Sequence, residues 1–514
     1  TAGTASVSWG ARRMGITDVK FQQQQVPSKS WVDVPPEGTV DGNKVRIIAR
    51  FENPTHNTVP GPVRFVDDET GELLPKGELP LSLAPNTSAE LTYEWDTQGW
   101  AWNDGRGAGA HPDRRIRIEL GPPDEAYDTI IQPIVVRAKP VVMVHGLNSN
   151  AATWASYPAF LQAANRTWKG YAVDTMRTGN DVADQQASNT IVSNAFELAK
   201  FIEQVRAREQ AWHVDVVAHS MGGLITRQYI HSFMQTAPSV DDQPLVRHLA
   251  MLGTPNQGSV CALGLAAINE FLDIPNLNAP IELTPDVVAN FNRQVTNERN
   301  VKFSVIAGNN FPFPCVPLAM AIFTPSDLVV TVKSAHHTYS DIGLTPKHHV
   351  AMTGDKGIFD LWVVPHLAIG RGGEPSQRAA ELAGMTTDTT PEPTANLQFS
   401  QIASQDVPAG GSLDIPLQIP ASSSLGVMLV APQHVSAALI MPDGSTADTS
   451  AAGDERALQP YRVLNADVPP AGQWKLRLQN TAQQPATVKF GVMLSDAALV
   501  AIAQFGAPGD DGRL

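Results

Sequence analysis

Cysteine is nearly absent: the 514 residues include two, Cys261 and Cys315. Two are too few for a disulfide scaffold or a thiolate zinc cluster. In an exported protein they are expected to pair with each other, closing a long loop worth about 4 kcal/mol on the chain-entropy model. Two unrelated buried thiols are the alternative. Charge is also sparse, at 17% Asp, Glu, Lys and Arg against about 25% in an ordinary soluble domain. The balance is acidic, with a formal net charge of −14, so no basic surplus exists to neutralise phosphates and a nucleic-acid partner is not expected. The same sign disfavours adsorption to anionic membranes. No uninterrupted apolar run approaches the ~18 residues of a spanning helix, so no transmembrane segment is expected. The opening "TAGTASVSWG" lacks an initiator Met and an apolar secretory core, which reads as a mature or trimmed chain.

What the chain has is punctuation, with 39 Gly and 40 Pro, and length enough for about three domains. Residues 1–138 alternate apolar and polar positions in short runs such as "KVRIIARFENPT" and "RRIRIELG", divided by turn residues. Period-two alternation predicts antiparallel strands and a β-sandwich; the pattern resembles the immunoglobulin-like modules of bacterial surface and exported proteins. Residues 139–372 carry unbroken apolar strands, "KPVVMVHG", "HVDVVAHS", "HLAMLGTP" and "VKFSVIAG", between helical stretches such as "SNAFELAKFIEQVRAREQ". That order predicts a mostly parallel sheet with helices on both faces. A polar, Thr/Pro-rich linker is expected at 373–396. Strand texture returns at 397–505, with "SLDIPLQIP" and "GQWKLRLQN", and resembles the small C-terminal β-sandwich of secreted bacterial peptidases. The tail "GAPGDDGRL" is expected to be disordered.

The stretch "DVVAHSMGGLITR" at 215–227 runs a buried strand directly into a helix through Ser220. A nucleophilic serine must be lifted off the sheet on a sharp turn, with small residues two positions away on either side so that strand and helix can pass. Ala218 and Gly222 meet that need and Gly223 adds room. The following helix N-terminus aims unpaired N–H groups at the site, where a developing oxyanion would be stabilised. The plain alternative is a serine that only caps a helix. "AHSMGG", with "VVMVHGL" before it and "LGTPNQGS" after it, resembles bacterial lipases and esterases of the α/β-hydrolase fold. The resemblance covers roughly 139–370. It departs from the general Gly-x-Ser-x-Gly pattern only in the methyl group of Ala218.

The resemblance implies a secreted or cell-surface bacterial enzyme in which the acid and then the histidine follow the serine. Asp327 in "TPSDLVVTV" is the expected acid, with Asp341 its competitor. Six histidines follow Asp327: His336, His337, His348, His349, His366 and His434. His349, in "KHHVAMTGDKGIFDLW", fits the lipase pattern as the base; His348, His336 and His337 remain open, His366 is expected to pack, and the unchosen neighbour of His349 to face solvent. The backbone N–H groups of Leu147 and Met221 are the expected oxyanion hole, with His145 a structural histidine. Residues 258–300 could form a lid or simply pack.

The expected activity is hydrolysis of a carboxylic ester, of lipid or polyester, through an acyl-enzyme, with no metal or organic cofactor required. The same triad serves an acyltransferase or a polyester depolymerase. A different class of reading makes the chain an envelope adhesion protein with an inert hydrolase domain. The terminal sandwiches could bind a surface or a polymer.

Overall fold

The alternation in "KVRIIARFEN" is realised in space. Along the strand Lys44–Asn53, Val45, Ile47, Ala49 and Phe51 point into a core while Arg50 and Glu52 are exposed. The strand belongs to a four-stranded antiparallel sheet ordered Trp31–Asp33, Gly15–Gln24, Lys44–Asn53, Thr87–Asp96. It faces a five-stranded sheet ordered Thr39–Val40, Asp128–Arg137, Asp113–Leu120, Val59–Asp67, Leu73–Leu83. This computed structural model describes residues 13–102, 110–122, 126–179, 188–235, 243–262, 278–312, 325–371, 399–420, 424–451, 462–467 and 469–495.

The middle of the chain has no such alternation. Every residue of Val141–Val144 and Val214–His219 is buried, the texture of strands covered on both faces. They lie in a six-stranded sheet, parallel throughout, ordered Gly170–Ala172, Val141–Val144, Val214–His219, Val246–Leu252, Lys302–Gly308, Ile342–Thr345. The register pairs Val144 with Ala218, His219 with Leu252, Leu252 with Ile306, and Gly308 with Thr345. The carboxyl ends of these strands therefore finish side by side, the edge at which parallel sheets bind ligands. The helix Ile191–Glu209 buries Ile191, Ala195, Leu198, Ile202 and Val205, a 3.6-residue stripe, and is capped where Thr190 accepts a hydrogen bond from Ser193 N. The helix Met221–Ser232 is buried from Met221 to Ile230, so it lies inside the unit and not on its surface.

Strand-rich units thus occupy both ends of the chain. The C-terminal one has two antiparallel four-stranded sheets, ordered Phe399–Val407, Ala486–Ser495, Ser424–Val430, Arg462–Asp467 and Ser412–Ile419, Gly472–Asn480, Val435–Ile440, Thr446–Ser450.

The N-terminal sandwich docks at the amino-terminal ends of the parallel strands. Asn43 Nδ2 donates to Gln210 O at 2.8 Å, and Trp212 N donates back to Asn43 Oδ1 at 3.1 Å. Arg137 pairs with Glu209 at 2.7 Å. Buried Asp41 accepts from Gly99 N and Ala101 N, and with Asp215 it flanks Lys139 Nζ at 3.5 and 3.8 Å. A continuous apolar cluster joins Trp95, Trp100 and Val136 of the sandwich to Met143, Val217 and Ala250 of the sheet.

Among the described residues no helix is long and apolar enough to cross a membrane. The linker expected at 373–396, the tail, Cys315 and, within the expected lid, residues 263–277 lie outside the described residues. Within the rest of 258–300, Pro285–Gln294 is a helix that buries Val288.

Candidate active site

Ser220 ends the strand Val214–His219 and begins the helix Met221–Ser232 with φ 53° and ψ −130°. An L-residue pays about 1–3 kcal/mol to hold such a backbone, and the surroundings impose it. Ser220 N donates to Leu252 O at 2.9 Å, and Gly223 N donates to Ser220 O at 3.0 Å. A Cβ on Gly222 would sit 2.6 Å from Val144 O, and one on Gly223 2.1 Å from Thr254 Oγ1. Any larger residue at either position would push the helix off the sheet. Gly146 closes the other side, since a Cβ there would lie 2.6 Å from Ser220 Cβ and 3.2 Å from its Oγ. Ser220 is 6% exposed, and among the described residues its side chain makes no hydrogen bond or helix cap.

Asp327 and His349 meet at the same edge. Asp327 Oδ2 lies 2.7 Å from His349 Nδ1, and Oδ1 accepts from Val329 N at 2.9 Å and Val330 N at 2.7 Å. The carboxylate is held by three donors while 1% exposed, as a buried anion requires. His349 N donates to Asp327 O at 2.9 Å, so backbone and side chain both fix the imidazole.

The link between this pair and the serine runs through residues that sequence reading had given no role. A Cβ on Gly253, at φ +58°, would fall 2.9 Å from Asp327 Oδ2 and 3.1 Å from His349 Nδ1. The preceding residue, Leu252, is the one whose carbonyl holds Ser220 N. His219, directly before the serine, stacks obliquely on His349 with ring centroids 4.6 Å apart, and its Nε2 lies 2.9 Å from His349 O. Burial first, then the neighbouring His349, drives the His219 pKa well below the usual histidine value. It is therefore neutral, with the Nε2 proton donated to that carbonyl. The signals were available: Gly253 stands in "LGTP" and His219 in "AHS".

The two N–H groups expected to serve an oxyanion come from a loop and from a helix start. Met221 N is the first N–H of the helix, and Leu147 N follows Gly146, which touches Ser220. Among the described residues neither N–H donates a backbone hydrogen bond outside regular structure. His145 is buried with Nδ1 3.2 Å from Gly146 O and 3.3 Å from Thr178 Oγ1, and burial lowers its pKa.

The remaining candidates lie elsewhere. His366 packs, with Nε2 3.1 Å from Asp341 Oδ1, so the competing acid is engaged with a different histidine. His336 Nε2 is 3.2 Å from Gly343 O. His337 neighbours Gln257 at 3.4 Å, and burial with Arg227 lowers its pKa to about 4. His348 corrects the expectation of a solvent-facing neighbour: it is 4% exposed. It stands at the N-cap of the tight turn His349–Thr353, where both histidines fold inward. Cys261 is buried, and the partner expected for it, Cys315, is among the residues not described. Among the described residues no cluster of three His, Cys, Asp or Glu side chains could hold a metal ion.

Residues 138–277 match the family model of class 2 lipases. The match supports the resemblance read from the three motifs, and with it an ester-hydrolysing activity. A crystal structure of Bacillus licheniformis lipase BlEst2 in propeptide form is similar at 18% identity and TM-score 0.43, over 71% of this chain and 76% of that one. Phospholipase PlaB from Legionella pneumophila is similar at 13% identity and TM-score 0.37, over 68% and 85%. A lipase-esterase related protein from Clostridium acetobutylicum is similar at 14% identity and TM-score 0.27, over 42% and 90%.

Proposed function

We propose that the chain is a serine carboxylic ester hydrolase whose catalytic unit, residues 139–372, is an α/β-hydrolase domain between two β-sandwiches. The observation that carries the reading is the Asp327–His349 pair, 2.7 Å apart, lodged against Gly253 beside the left-handed Ser220. His349 Nδ1 donates to Asp327, which leaves Nε2 as the basic nitrogen. His349 takes the Ser220 proton as Oγ attacks the ester carbonyl, and Asp327 stabilises the imidazolium without accepting the proton. The tetrahedral oxygen is held by the N–H groups of Leu147 and Met221, donors whose individual loss costs roughly 3–4 kcal/mol in comparable sites. His349 then protonates the leaving alcohol and activates the water that releases the acid. The terminal sandwiches, the pairing of Cys261 with Cys315 and a secreted or cell-surface location form part of the same proposal.

The test is a p-nitrophenyl ester chain-length series on the wild type, Ser220→Ala and His349→Ala, with organophosphonate labelling of the wild type. Activity and label should both disappear in Ser220→Ala, and His349→Ala should retain under a thousandth of the rate. Full activity in Ser220→Ala would end the proposal.

A further inference from the structure

Arg227 lies two turns into the helix that Ser220 begins, and it is 7% exposed. Its partners are neutral: Nη1 donates to Asn256 Oδ1 at 3.0 Å and Nη2 to Asn292 Oδ1 at 2.8 Å. Its guanidinium also faces the rings of Phe291 and Tyr339, with centroids at 5.1 and 5.9 Å. Among the described residues no carboxylate makes an ion-pair contact with it, Glu298 acting only through longer-range Coulomb attraction, and a buried cation held by amides is an expensive way to fill space. Burial lowers its pKa accordingly.

The cost becomes intelligible from what Asn256 holds. Asn256 Nδ2 donates to Ala335 O at 2.8 Å, and Asn256 O accepts from Asn292 Nδ2 at 2.8 Å. The same turn is fixed further on, where Gln257 N donates to Ser334 Oγ and Ser259 Oγ donates to Val329 O, two residues past Asp327. At its other end the turn begins with Gly253, against Asp327 Oδ2 and His349 Nδ1. Gly223, one helical turn before Arg227, packs on Thr254. The serine helix, the turn 253–259 and the acid–base pair are thus joined through one guanidinium and two amides.

We infer that Arg227 is a positioning residue which, through Asn256, fixes the turn 253–259 and so the Asp327–His349 pair relative to Ser220. It touches neither substrate nor reacting atoms, and the inference rests on the ester-hydrolase reading above. The choice of arginine follows from geometry: a planar fork presents Nη1 and Nη2 as separate, rigidly spaced donors to amide oxygens on two segments, whereas a lysine offers both from one nitrogen on a flexible stem.

The experiment measures kcat and KM on a soluble p-nitrophenyl ester, with thermal melts, for Arg227→Met, Arg227→Lys, Asn256→Ala and the Met/Ala double variant. Arg227→Met is expected to lose at least tenfold in kcat with KM within twofold. Arg227→Lys should recover part of the loss, and the double variant should be no slower than the worse single one. If Arg227→Met does not fold, Asn256→Ala carries the test, because it leaves the cation in place. Unchanged kcat, a loss carried by KM and not by kcat, or no recovery in Arg227→Lys overturns the inference. The two readings fail differently: activity that survives Ser220→Ala removes the ester-hydrolase reading, whereas Ser220-dependent activity indifferent to Arg227 and Asn256 removes only this one.

Discussion

Replacing Gly253 by alanine probes the packing of the Asp327–His349 pair directly. The perturbation has two parts. At φ +58° an L-residue costs about 1–2 kcal/mol, because its Cβ crowds the following carbonyl. The added methyl would also stand 2.9 Å from Asp327 Oδ2 and 3.1 Å from His349 Nδ1, where ordinary contact begins at 3.4 Å. Neither neighbour is a flexible tip. Asp327 is held by Val329 N and Val330 N, and His349 by the carbonyl of Asp327 through its own N–H. Relief therefore requires the pair or the turn to shift by several tenths of an ångström. A displacement of that order in a catalytic constellation is worth roughly ten- to a hundredfold in rate, while the stability loss corresponds to a few degrees in a domain of this size. The assay pairs ester-hydrolysis kinetics with a thermal melt on Gly253→Ala and, as control, Gly354→Ala, which meets nothing within 4 Å. The expected result is a fall in kcat of at least tenfold with a melting point lowered by about 2–6 °C. Near wild-type kcat would refute the claim that Gly253 is the packing surface of the pair.

Asp327→Asn should keep the geometry and lose the chemistry. Its oxygen can still accept from Val329 N and Val330 N, so the amide nitrogen faces His349 Nδ1, holds the wrong tautomer and lowers kcat by about 10⁴; a kcat within tenfold of wild type refutes the assignment. Asp215 predicts a pH effect at the opposite end of the sheet. Burial, opposed by Lys139 and assisted by Asp41, raises its pKa to about 6. The folded value lies above the unfolded one of about 3.9, so the folded state binds the proton more tightly. The stability this contributes is full below about pH 4 and is lost by about pH 6, a change on the order of 3 kcal/mol. Urea unfolding should show the stability of wild type relative to Asp215→Asn falling between pH 4 and 7; a flat or rising difference would exclude a raised pKa.

The serine was legible because its strain constrains its neighbours: a left-handed residue between strand and helix needs Ala218, Gly222 and Gly223 to be small, and those letters are in the sequence. The parallel strands were legible because burial on both faces removes alternation. Asp327 and His349 were named by resemblance to lipases, since nothing local distinguishes a loop Asp or one member of "KHHV". The inward fold of His348 was not legible, because a tight turn can tuck adjacent side chains to the same side where an extended chain would split them. Arg227 was passed over because an arginine in a helix ordinarily marks the solvent face, and its burial depends on Asn256 and Asn292, far along the chain. Asp41 in "VDGNK" has the letters of a simple turn, although it is fully buried.

Asp41 bears on how labour is divided in the molecule. The sandwich that carries it contacts Lys139, Glu209 and Trp212, which lie before or at the amino ends of the parallel strands, whereas Ser220, Gly253 and Asp327 lie at the carboxyl ends. A strand of the length of Val214–His219 separates the two edges by about 20 Å at 3.3 Å per residue. The charges that fasten the sandwich are therefore too far away to contact a substrate at Ser220. Through the parallel strands the sandwich can stabilise the floor of the site. On the ester-hydrolase reading proposed above, discrimination among acyl groups falls to the other edge, where Gly146 stands against Ser220 and Gly253 against the Asp327–His349 pair.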